Sequence, residues 1–240
     1  MLTSAADTAI PAPVRSAFSR AEQRVIERLK TPALVQAYLN DLTYNTEPPP
    51  AGPQQRTFRS VVASGTAHCL EAALTAAVVL EQHGYPPLVM SLESVDGLDH
   101  VLFIYRHRGR WGSVAKSRDP GLHGRRAVFR SLRALALTYF EPFVDTTGCL
   151  QAYGAVDLRV LGRYDWRLST GNVWKVERLL YEIPHTPIAS SPARVDRLRL
   201  QYFRYRRAHP GIKPVEIYDR RAWSALPAHF SRDRNRGSAS

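Results

Sequence analysis

The chain has 240 residues, 44% apolar and 22% charged, which fits one globular domain that needs no disulfide or metal staple. Two cysteines 80 residues apart exclude a disulfide scaffold and any four-cysteine zinc module, and the longest apolar run, Ala72–Leu80, is too short to span a membrane. The net charge is +12, carried by 29 arginines and only four lysines, and +8 of it falls between Arg194 and Arg236.

Residues 1–13 are small, polar and proline-punctuated and read as a flexible arm. They lack the basic and apolar stretches of a signal peptide, so the expected location is cytoplasmic, with reduced thiols. Ser19–Arg28 and Pro32–Leu42 read as helices, with Ile26, Leu29, Leu34, Val35, Tyr38 and Leu39 at helical spacing. Glu47–Gln55 (EPPPAGPQQ) can be neither helix nor interior strand and is expected as an exposed connection. The strongest pattern follows: Leu70, Ala73, Leu74, Ala77 and Val78 share one helical face. Ser64 or Thr66 is the expected cap, and Gly84 with Pro86-Pro87 the stop. Leu88–Leu92 is a short strand and His100–Tyr105 a clearer one, too apolar to be solvated on both faces. A turn at Arg108–Arg110 leads into Trp111–Lys116 as the next antiparallel strand. Ser131–Phe140 is helical again, stopped by Pro142, and beyond Gly148 the pattern blurs. The expectation is an α+β domain with N-terminal helices packed on an antiparallel sheet, spanning residues 14–236. Its core is placed at about 56–145 and a basic C-terminal extension at about 150–236, with 237–240 as a tail.

Cys69 is the residue that invites chemistry. With Thr66 as cap it falls third in its helix, where unpaired amides and the positive end of the macrodipole favour a thiolate. His100 stands where a Gly/Asp-bearing loop enters an apolar strand, a position that fixes an imidazole and leaves its tip accessible. The end of the second strand of an antiparallel hairpin lies beside the start of the first, so Ser117–Asp119 should return to His100. Asp119 would then orient the imidazole.

These segments, GTAHCLEAALTAAVVLEQHGYPP and DHVLFIYRHRGRWGSVAKSRDP, resemble the transglutaminase-like superfamily of papain-like folds over roughly Ser60–Gly121, about a quarter of the chain. The family places a cysteine at a helix N-terminus, a histidine opening one strand and an aspartate on the next. It also has an acidic residue two positions after the cysteine, here Glu71, and a turn after the helix, here Gly84-Tyr85. Its aspartate usually lies four residues behind the strand tryptophan. Here that position is Ala115, and Asp119 lies eight residues after Trp111, which leaves Ser117 or a backbone carbonyl as alternative partners for His100. The resemblance implies catalytic Cys69, His100 and Asp119, thiolate attack on a peptide or protein amide, and a thioester passed to water or an amine. It implies an oxyanion site made by the Cys69 amide and one of Tyr44, Asn45, Gln54 or Gln55. An inactive domain of the same fold that binds a protein partner is the alternative.

The remaining features are weaker. His68 should point about 100° away from Cys69 on a helix and be exposed. Cys149 has no assigned role, and Asp145 (FVDTTG) ranks below Asp119 because it follows a helix, away from the hairpin. The eight histidines show no metal-binding spacing and there is no Gly-rich phosphate loop, so neither metal nor cofactor is expected. The aromatic–arginine C-terminal stretch suits stacking on single-stranded nucleic acid, but an amphipathic element that solvates its arginines is favoured.

Overall fold

The computed structural model describes residues 10–47, 52–97 and 99–211; most of the arm, the tail and residues 212–236 of the basic segment lie outside them. Helix α1 (Arg20–Arg28) opens with a reciprocal cap, in which Ser19 Oγ accepts the Glu22 N–H (3.3 Å) and the Glu22 carboxylate accepts the Ser19 N–H (2.7 Å). Helix α2 (Pro32–Asp41) starts on Thr31 with proline in its first turn. Strand β1 (Thr43–Tyr44) follows, then α3 (Phe58–Ser64), β2 (Thr66–Ala67) and α4 (Cys69–Glu81). Next come β3 (Leu88–Ser94), β4 (His100–His107), β5 (Arg110–Val114) and β6 (Arg125–Phe129). Two short helices, α5 (Leu132–Leu137) and α6 (Phe140–Phe143), replace the single helix expected there, and Pro142 lies inside the second rather than after it. The chain continues through β7 (Leu150–Asp157), α7 (Trp174–Glu182), β8 (Thr186–Pro187) and α8 (Pro192–Ala208). Among the described residues no helix is long and apolar enough to cross a membrane.

The main sheet is antiparallel throughout, in the order β6-β5-β4-β3-β7-β8. Both faces are covered, which is why β4 reads as continuous apolar sequence. Val89, Val101 and Phe103 pack with α4, whereas Met90, Leu92, Leu102 and Ile104 pack on the other face with Leu135 and Phe140. Helix α4 is buried from Leu70 to Leu80 on all sides, so its sequence shows more than the one apolar face that periodicity requires. The expected α+β core is therefore present, with a buried helix laid on an antiparallel sheet.

The strand β5 stops at Val114 because α2 takes over its pairing. The Gln36 amide donates to the Ala115 carbonyl (2.8 Å) and its oxygen accepts the Ala115 N–H (2.9 Å), so a side chain imitates a neighbouring strand. Lys116 Nζ then donates to the carbonyls of Leu39 (2.8 Å) and Leu42 (2.6 Å), at the negative end of α2. The segment that carries Ser117 and Asp119 is drawn toward α2, and the pairing of β4 with β5 ends at Phe103↔Val114.

Candidate active site

Cys69 is the first residue of α4, not the third. Thr66 and Ala67 are not helical; they pair in parallel with Thr43 and Tyr44, and this short ladder brings Tyr44 toward Cys69. Neither Ser64 nor Thr66 caps α4. Both hydroxyls instead accept from the Arg56 guanidinium, at 3.1 and 3.0 Å. One amide ahead of the helix is met from inside, where the Glu71 carboxylate reaches back to the His68 N–H (3.0 Å). Glu71 is completely buried and also accepts from Arg56 Nη2 (2.9 Å) and Asn45 Nδ2 (3.2 Å). Burial alone would raise its pKa, but the Arg56 hydrogen bond and the charges of His68 and Arg56 hold it below the ordinary carboxylate range.

His68 overturns the expectation of an exposed bystander. Its backbone is extended (φ −91°, ψ −174°), so it precedes the helix instead of lying on it, and it is only 8% exposed. Nε2 donates to the Gln54 carbonyl (2.7 Å). Burial opposes its charge, but the hydrogen bond and charge of Cys69, together with Glu71, lift its pKa to about 9. The half-buried Cys69 sulfur feels the converse: burial raises the thiol, and hydrogen bonds from His100 and His68 with their charges bring it down to about 5.

His100 opens β4 and is 3% exposed. Its Nε2 lies 2.8 Å from the Leu122 carbonyl, which can only accept, so Nε2 carries the hydrogen and Nδ1 is left for the sulfur. The Leu122 carbonyl belongs to a loop held by buried Arg125. That guanidinium donates to the carbonyls of Gly121 (2.7 Å) and His123 (2.5 Å) and stacks on Tyr139 at 4.1 Å.

Cys69, His100 and Asp119 all line one cleft of about 410 Å³. Asp119 lies three residues before Leu122, where its N–H donates to Ser117 Oγ (3.0 Å) and its carbonyl accepts the Leu122 N–H (2.9 Å). The partner on Nε2 is the main-chain oxygen, one of the alternatives the sequence leaves open. Asp145 is nearer than expected. It lines the same cleft, with its carboxylate closing its own turn on Thr147 N–H (3.0 Å) and Gly148 N–H (2.7 Å).

The four side chains named beside the Cys69 amide now separate. Asn45 spends its amide on Glu71, and Gln54 accepts from Asn45 and does not line the cleft. Gln55, buried where an exposed connection was expected, donates to Glu177 (2.8 Å). Tyr44 lines the cleft, and burial first, then the Cys69 thiolate, push its phenol well above the usual range, so it keeps its proton. In the basic stretch, Arg194 pairs with Glu141 (3.2 Å), Arg199 donates to the Asp145 carbonyl (3.0 Å), and Leu198 rather than an aromatic ring is buried; residues 212–236 lie outside the described residues.

No protein-family model matches the chain, and no curated protein matches it by sequence. Among solved structures it is similar to Legionella pneumophila LapG. The EGTA-treated form is 13% identical with a TM-score of 0.37, over 63% of this chain and 90% of that one. Another LapG structure is 10% identical with a TM-score of 0.36, over 78% and 94%, and the calcium-bound form is 12% identical with a TM-score of 0.33, over 59% and 80%. Likeness at this level identifies neither a family nor an activity.

Proposed function

We propose that the chain is a transglutaminase-like cysteine hydrolase or acyltransferase acting on peptide or protein amides, with Cys69 as nucleophile and His100 as acid and base. The observation that supports this reading is a thiol brought to about 5 by two imidazoles, in a cleft open to a guest molecule. Between the Cys69 value near 5 and the His68 value near 9, sulfur is a thiolate and His68 is charged, and in this reading the proton given up by the sulfur is carried by His100 Nδ1. The thiolate attacks the amide carbon and a carbon–sulfur bond forms. The carbonyl oxygen gains negative charge beside the Cys69 amide, which has no acceptor within its own helix, and the protonated Tyr44 hydroxyl. Collapse breaks the carbon–nitrogen bond, and His100 gives its proton to the departing amine. Water or a second amine then attacks the thioester, His100 takes its proton, and the thiolate leaves.

Orientation of His100 falls to the Leu122 carbonyl, while Asp119 lines the same cleft without being that partner. The direct test is mass spectrometry of the protein quenched during turnover of an activated acyl ester. A single acyl group on the peptide containing Cys69 is expected, and acylation elsewhere, or none, defeats the reading. Asp119→Asn should cost only a few-fold in kcat. A loss of about 10⁴ would instead make Asp119 the indispensable third member.

A further inference from the structure

The cleft around Cys69 has a charge opposite to that of the molecule. Glu47 and Asp119 reach it from the loops before α3 and after β5, and Asp96 and Asp99 from the turn between β3 and β4. Glu141 and Asp145 come from α6 and its exit, and Glu177 from α7. Against these seven carboxylates, Arg118 is the one lysine or arginine among the described lining residues, in a chain of net charge +12. A low-dielectric cleft focuses such a field.

Among the described residues, two acceptors in its walls are also left without donors. Gln55 is 9% exposed; its amide nitrogen is committed to Glu177 (2.8 Å), and its Oε1 is buried and unpartnered. Glu141 gives one oxygen to Arg194 (3.2 Å), and the other is buried with no partner. Buried acceptors are ordinarily satisfied, and these two oxygens are held in the cleft walls with no donor among the described residues. The Glu177–Gln55 pair and Glu141 thus present acceptors and negative charge to the same space as the sulfur.

We infer that the cleft selects a peptide segment bearing a lysine or arginine side chain, whose cationic donor group is received by Glu177, Gln55 and Glu141 beside Cys69. This rests on the reading of the cleft as the place where Cys69 works. Anionic peptides are disfavoured by the same walls, which makes charge a rejecting as well as an attracting device.

The test uses the full chain with Cys69→Ser, so that binding is read without reaction, and isothermal titration with three acetylated, amidated alanine pentapeptides whose central residue is Arg, Gln or Glu. The Arg peptide should bind about tenfold more tightly than the Gln peptide, and the Glu peptide weakest, with the preference shrinking as salt rises. Glu141→Gln with Glu177→Gln should remove most of the preference; Glu177→Gln alone serves if the pair does not fold. Equal affinities, binding by none of the three, or a preference untouched by these substitutions overturns the inference. Free spermidine binding as tightly as the Arg peptide would overturn the peptide as its source. Failure of the nucleophile is read separately, as iodoacetamide leaving Cys69 unlabelled in the unaltered protein.

Discussion

Cys69 and Cys149 are the two thiols of the chain, and their surroundings drive them in opposite directions. Cys149 is buried just before β7, with its sulfur near the Leu150 carbonyl and its backbone exchanging hydrogen bonds with Ser94 Oγ (3.2 and 3.3 Å). Burial raises its pKa, and the charges of Arg199 and Arg194 do not reverse the shift. At Cys69 burial acts in the same sense but is outweighed by the imidazoles of His100 and His68. Two guanidiniums do less for one thiol than two imidazoles do for the other.

The contrast can be broken most severely by activity. Cys69→Ala should abolish turnover, a loss of a thousandfold or more by order of magnitude, while Cys149→Ala should leave kcat within about twofold. Equal losses would mean that the two sites had been wrongly separated. Tyr44→Phe should lower kcat by about 10²–10³ with little change in KM, as removal of an oxyanion donor does; an unchanged kcat would assign that donor elsewhere.

Labelling sharpens the comparison further. At pH 6 Cys69 is mostly thiolate, whereas a thiol at 9 or above is ionised to about one part in a thousand. Lower basicity costs Cys69 roughly 40–100-fold in intrinsic nucleophilicity, so its net advantage toward iodoacetamide is about tenfold, before burial protects Cys149 further. The Cys69 rate should fall only as pH drops through about 5, since the lowered thiol keeps its charge above that point. A half-point near 9 would refute the paired imidazoles. The smallest effect is expected from Glu71→Gln. Loss of the carboxylate that supports the His68 charge should raise the Cys69 half-point by about one unit and slow labelling at pH 5 a few-fold.

Much of this was legible locally. Ser19 before α1, the apolar run of α4, the turn at Arg108-Gly109 with both residues at positive φ, and the apolar β4 all follow from short-range rules. The order of Cys69 and His100 sufficed to suggest a meeting. What escaped depended on distant partners. β7 alternates faithfully, but its inward positions are Leu150, Ala152, Gly154 and Val156, and two small residues mute the signal. Gly154 must be small, because a Cβ there would meet the His185 ring and Ile183 at 2.9 Å. His68 reads as a helical surface residue only if α4 starts before it; the two residues ahead of it are committed to β1, and no local pattern announces a parallel pairing of two residues. The departure of Asp119 from the hairpin is hidden for a similar reason, since Gln36, 79 positions upstream of Ala115, supplies the competing pairing.

The acceptor that steadies His100 is a main-chain oxygen. No codon change deletes a peptide carbonyl, so a scan that truncates each side chain from Ser117 to Gly124 would pass over it in silence. Its effect should surface instead at Arg125, whose guanidinium pins that loop from below, and an investigator reading such a scan would credit a remote arginine with a role the backbone performs.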